Sequence, residues 1–149
     1  MNYNKRFQEL KRKYFPELKD RQIIFEKANQ KVFMKAFPLN NKVYYNEQTM
    51  KNCPSKARDA AFVHELFHKL QFYRMNFIKR VLVLLFYLMF QKVRIKIEYE
   101  ANIETVKRGF GKGLLELNEY VKKRVGKQLW ENKVRDLHLS KEEIKEIES

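Results

Sequence analysis

Two histidines four residues apart, His64 and His68, enclose a glutamate and constrain this chain more than any other feature, because the pair can act together only on one helical face. In an α-helix residues i and i+4 lie one above the other, so both imidazoles point the same way while Glu65 stands about 100° round the cylinder. The chain has only three histidines, so most of its imidazole is committed to this one pentapeptide. The flanks agree with a helix. Ser55 behind Pro54 reads as an N-cap, and Lys56 to Tyr73 runs without Gly or Pro. Ala60, Val63, Phe67 and Leu70 recur at helical spacing as a face to be buried. The spacing therefore predicts the motif on a packed helix, the rigid support that a metal site needs.

A His-Glu-x-x-His turn offers two nitrogen ligands to one metal ion and a carboxylate that can take a proton from water beside it. That chemistry implies a zinc-dependent hydrolase with one Zn²⁺ per chain. Catalytic zinc takes three protein ligands, so a third must come from another element. His138 is one candidate, far downstream in a polar helical segment. The better one is acidic: Glu98-Tyr99-Glu100-Ala101-Asn102 falls on a predicted helix from about Val93 to Arg108, ended by Gly109. Glu98 and Asn102 share a face that Ile95 and Thr105 continue, so Glu98 can bind the metal while the Asn102 carbonyl accepts from a ligand imidazole. Glu100 projects about 200° away, and only one of the two glutamates can be the ligand.

HExxH followed by a glutamate of the form ExxxD or ExxxN on a later helix resembles the gluzincin metallopeptidases. Glu98-Tyr99-x-Ala101-Asn102 is similar to the form found in the CAAX-prenyl-protease and heat-shock membrane protease families. Those families are integral membrane proteins, and this chain resembles their small soluble counterparts, the minigluzincins, from roughly Lys31 to Gly109. The resemblance implies His64, His68 and Glu98 as zinc ligands, Glu65 as general base and acid, and a peptide or protein as substrate. It also implies latency through a terminal segment as an alternative to an ordinary packed or solvent-facing helix pair, and Lys127 to Ser149 has suitable groups for it in Trp130, Val134, Leu137, Asp136 and His138. Asn102 stands where the family usually has Asp.

Thirty-two basic against 18 acidic residues leave a formal charge of +14, which raises the question of nucleic acid. The lysines and arginines are spread along the chain and interleaved with acids, without an RNP-type or helix-turn-helix signature, so nucleic acid is disfavoured as a partner. Acidic peptides or anionic lipid headgroups suit the same surface. The rival reading is a basic nucleic-acid-binding or regulatory protein of mobile-element type, with a vestigial or repressor-cleaving zinc site. The lone Cys53 precludes an internal disulfide, and Met1 to Phe15 lacks the apolar core of a signal peptide; both point to a cytoplasmic protein.

Length and the absence of linkers predict one domain over 1–149, with a catalytic core at about 20–125 and a helical C-terminal segment at about 126–149. Tyr3, Phe7, Leu10 and Tyr14 predict an opening helix up to Pro16, and a second is expected around Leu18 to Ala28. Val32 to Phe37 and Val43 to Tyr45, joined by Pro38-Leu39-Asn40-Asn41, predict a hairpin, one strand of which would receive an extended substrate if the resemblance holds. The apolar run Val81 to Phe90 is too short to span a bilayer; core packing is its first expected role, self-association or shallow membrane contact the second. Gly109, Gly111 and Gly113 read as a helix end and flexible turn. Leu114 to Val125 and Lys127 to Leu137 read as helices, and Ser140 with Glu143 as a capping box for the last one. The fold class expected is α+β and mostly helical, a zincin-like domain with an active-site helix, a small hairpin or sheet, a Glu-bearing helix and C-terminal helices.

Overall fold

The computed structural model describes residues 2–29 and 33–149. Helix α1 (Tyr3–Tyr14) is opened by Asn2, whose side chain accepts from the Lys5 N–H. Strands β1 (Ile24–Lys27), β2 (Met34–Ala36) and β3 (Lys42–Tyr45) form one sheet in the order β1-β3-β2, with β3 parallel to β1 and antiparallel to β2. Helices α2 (Glu47–Asn52), α3 (Ser55–Tyr73), α4 (Phe77–Met89), α5 (Gln91–Thr105) and α6 (Gly111–Val125) follow. A broken stretch begins with α7 (Lys127–Leu129) and runs through wider and tighter turns to Leu137, and α8 (Lys141–Glu148) closes the chain. The result is mostly helical with one small sheet, as the sequence predicts at that level. Among the described residues no helix is long and apolar enough to cross a membrane.

The predicted hairpin is β2 and β3, with Val32 outside the described residues. The predicted helix over Leu18 to Ala28 is not formed. A short 3₁₀ turn at Pro16–Leu18 is followed by extended chain, because Ile23 and Phe25 are buried with Ile24 exposed between them, an alternation that only a strand can satisfy. Phe25 stacks on Phe7 at 4.6 Å between ring centres and meets Phe62 edge-on at 5.2 Å, joining sheet, α1 and α3 in one core. The capping box of α8 forms with both arms, and Ile144 is buried as its periodicity requires. The stretch from Lys127 to Leu137 is not one helix, and the chain leaves helical geometry at His138 to become extended.

Helix α3 organises the rest, with twelve of its 19 residues buried, Ala60, Val63, Phe67 and Leu70 among them. Its N-cap is Pro54 rather than Ser55, which is already the first helical residue. Asp59 pairs with Arg6 of α1 through Nε at 3.1 Å and Nη2 at 2.5 Å. Of the glycine cluster only Gly109 makes a turn, at φ 87°, while Gly111 and Gly113 lie buried in the first turn of α6. The physical reason is close approach. A Cβ on Gly113 would sit 2.5 Å from the Lys56 carbonyl oxygen and 3.1 Å from Ala60 Cβ, so α6 can rest on α3 only where no side chain intervenes.

Gly113→Ala should therefore force backbone apart and cost about 1–3 kcal/mol in urea unfolding, despite alanine's better helix propensity. Gly111→Ala should cost less, because the atom nearest its Cβ belongs to the free end of the Glu148 side chain. Equal stability of Gly113→Ala and wild type would show that the two helices are not in this contact.

Candidate metal centre

The buried stripe of α3 turns the opposite face toward a cleft of about 430 Å³, and that face carries His64, Glu65 and His68. Helix α5 crosses from the other side and brings Glu98 into the same cleft. His64 Nε2 lies 3.1 Å and His68 Nε2 3.5 Å from Glu98 Oε2, and the two nitrogens are 3.0 Å apart. One ligand-capable atom from each of these three residues lies within 4.8 Å of the other two. A tetrahedral ion with bonds of about 2.0–2.1 Å needs donor atoms roughly 3.3 Å apart, so this triangle has the size to enclose one metal ion. The three residues can hold a metal ion together. His138 is not one of this group, and Glu100 points outward, where it accepts from Gln71 Nε2 at 3.0 Å.

Two imidazole nitrogens facing one carboxylate oxygen demand a positive charge among them. Burial disfavours the His68 cation, but the charge and hydrogen bond of Glu98 outweigh burial and raise its pKa to about 9. Burial would likewise raise the Glu98 carboxyl, yet His68 and His64 hold it well below the usual carboxylate range. Burial thus works against charge on both groups, and their mutual attraction outweighs it.

The neighbouring groups orient it. His68 Nδ1 is 2.9 Å from Gln71 Oε1, an acceptor that holds the N–H on Nδ1 and leaves the Nε2 lone pair for the centre. Tyr87 of α4 donates its hydroxyl to Glu98 Oε1 at 2.6 Å, so the second carboxylate oxygen is occupied while Oε2 faces the imidazoles. Burial first, then the negative Glu98, raise the Tyr87 phenol, which keeps it a donor. Glu65 Oε2 accepts from the Ala36 N–H on β2, tying the acid between the histidines to the edge strand. Lys69, almost wholly buried, donates to the carbonyls of Phe37 at 2.7 Å and Asn40 at 3.0 Å and so fastens the turn after β2 to α3. Burial lowers its pKa to about 8, with Glu65 acting in the opposite direction.

Asn102 does not take the expected part. No hydrogen bond joins it to either imidazole, and His64 Nδ1 is buried without a hydrogen-bond partner among the described residues. Instead Asn102 Nδ2 donates to the Leu137 carbonyl at 2.7 Å, while Asn118 Nδ2 donates to that of Leu139 at 3.0 Å. These bonds grip the chain on both sides of His138, whose ring lines the cleft and stacks on Trp130 at 4.8 Å. Burial, then the nearby His64, push His138 down to about 4, so it is neutral at physiological pH. Asp136, the other ligand-capable group of this segment, is exposed outside the cleft.

Gln71, Tyr87 and Lys69 carry no motif. Tyr87 did leave a signal, as the sole hydroxyl within the otherwise hydrocarbon and thioether run Val81 to Phe90. Tyr45 and Tyr73 do not line the cleft. Comparison with protein-family models, curated proteins and solved structures finds no match for this chain.

Titration of the purified, chelator-treated protein with Zn²⁺ should show one ion per chain. His64→Ala, His68→Ala and Glu98→Ala should each abolish tight binding. Gln71→Ala should weaken it by roughly 10–100-fold, as removal of a ligand's hydrogen-bond partner does, and Glu100→Ala by less. Unchanged affinity in His64→Ala/His68→Ala would place any metal elsewhere.

Proposed function

We propose that this chain is a zinc-dependent peptidase. One observation carries the reading: an HExxH helix and a later glutamate bring three ligand atoms together in a cleft that also contains a second carboxylate and the edge of a sheet. Zinc held by His64, His68 and Glu98 would supply Lewis acidity, polarising a carbonyl and acidifying water. The remaining work falls to the chain's own groups. Glu65, beside the histidines and oriented by the Ala36 N–H, takes the proton of the attacking water and returns it to the leaving amine. An extended peptide lies along β2, the terminal strand of the sheet, whose Lys35 and Ala36 line the cleft. Tyr87 keeps one oxygen of Glu98 engaged and so limits the carboxylate to a single orientation.

The C-terminal segment makes the enzyme latent. His138 is neutral, sits among the groups a substrate would approach, and is held there by Asn102 and Asn118 through the carbonyls that flank it. Its lone pair competes for the position that a peptide carbonyl or water needs.

Glu65→Gln should retain zinc and lower peptide-library cleavage by about 10²–10⁴-fold, the range expected for loss of a general base. Cleavage undiminished in that variant would remove Glu65 from the mechanism.

For latency, His138→Ala and truncation after Gly126 should both raise cleavage at matched zinc occupancy. A folded, zinc-loaded His138→Ala protein no more active than the full chain would sink that part.

A further inference from the structure

Helix α4 is apolar on all sides beyond Lys79 and Arg80 in its first turn, and it has no buried residue. Val83 and Tyr87 face inward to the cleft, while Ile78, Leu82, Leu85, Phe86 and Met89 recur at the i, i+4, i+7, i+8, i+11 spacing of the opposite face. That outer stripe is exposed, Ile78 and Met89 each to 70%, and Phe90 beyond it to 50%. Eight of the twelve exposed large hydrophobic residues among the described residues fall between Phe77 and Phe90. A solvated apolar surface this concentrated is costly unless something covers it.

Charge says what. From Leu66 to Ile97 there is no Asp or Glu, while Arg74, Lys79, Arg80, Lys92, Arg94 and Lys96 bracket the helix. Lys79 on α4 and Lys92, Arg94 and Lys96 on α5 are exposed. A second copy of the chain is a poor cover, because a symmetric contact through this face would set the same basic groups against one another within a molecule of charge +14. The stripe is also convex, the outside of a single helix, and offers a protein partner no groove. An anionic bilayer asks for neither shape complementarity nor a matching residue pattern, and it supplies both hydrocarbon and negative charge.

We propose that the outer face of α4 docks in the plane of an anionic lipid bilayer, with Ile78, Leu82, Leu85, Phe86 and Met89 entering the acyl boundary and Lys79, Lys92 and Lys96 meeting headgroup phosphates. At 13 residues the helix is about 20 Å long, enough to lie in the interface and too short to cross it. The inference rests on the exposed face and the charge around it, and it stands whether or not the cleft is that of a peptidase. The same helix presents Tyr87 to Glu98 from its inner side, so docking would bring the cleft close to the lipid surface.

Flotation of the full chain with vesicles of phosphatidylcholine, with and without phosphatidylglycerol, tests it. The protein should float with the anionic vesicles, bind them less as salt rises, and stay in solution with phosphatidylcholine alone. Leu82→Gln/Phe86→Gln, which alters only exposed side chains, should abolish flotation and leave the unfolding midpoint unchanged or higher. Lys79→Gln/Lys92→Gln/Lys96→Gln should weaken partitioning by roughly 100-fold, near fivefold per charge. Failure to bind anionic vesicles at low salt overturns the proposal, and so does equal binding to neutral ones. Sedimentation equilibrium that shows a dimer dispersed by Leu82→Gln/Phe86→Gln would assign the face to self-association instead.

Discussion

Helix α3 can aim three polar side chains into a cleft because most of the rest of it is buried. Its core face packs against α1, α6 and the aromatic cluster of Phe7, Phe25 and Phe62, and Gly113 lets α6 approach without a side chain between the backbones. A helix held on several sides does not rotate, so His64 and His68 keep a shared direction without needing a metal to impose it. The same helix sets the position of the sheet. Lys69 grips the turn after β2 and Glu65 receives the Ala36 N–H, so the strand edge and the candidate base are referred to one element.

What the sequence reveals of this arrangement is what a helix can hold by itself. The HExxH pair, the stripe of Ala60, Val63, Phe67 and Leu70, the Glu98–Asn102 face and the Ser140–Glu143 capping box are all i, i+3 or i+4 relations, and each can be read from one strand of text. The choice of Glu98 over Glu100 belongs here too, since the angle between them about the helix axis separates inward from outward. Relations between distant segments are not legible in that way. Asn102 has the right face to serve an imidazole, but the Leu137 carbonyl, 35 residues on, takes its N–H; Gln71, a residue without a motif, accepts from His68.

Two local readings failed for related reasons. Between Leu18 and Ala28 the charged residues allow a helix, and only the partners of Ile23 and Phe25 in the core decide for a strand. In Val81 to Phe90 hydrophobicity alone suggests burial, whereas no residue of α4 is fully buried and Val83 packs against the core only in part. The glycines at 111 and 113 teach the converse. Composition reads them as flexible, whereas both are buried in α6 and at Gly113 the backbone of α3 leaves no room for a Cβ.

The hydroxyl of Tyr87 joins the two extremes of this architecture. Helix α3, deeply buried, belongs among the segments whose amides exchange with solvent only on global unfolding. Helix α4, with Val83 and Tyr87 among the side chains that face inward and no residue fully buried, can open at a smaller free energy. The imidazoles are therefore supplied by a largely buried helix, and the restraint on Glu98 Oε1 by an exposed one. Local opening of α4 would release one carboxylate oxygen while leaving both histidines in place. The centre consequently has a rigid half and a yielding half, and Glu98 is as ordered as the surroundings of α4 allow.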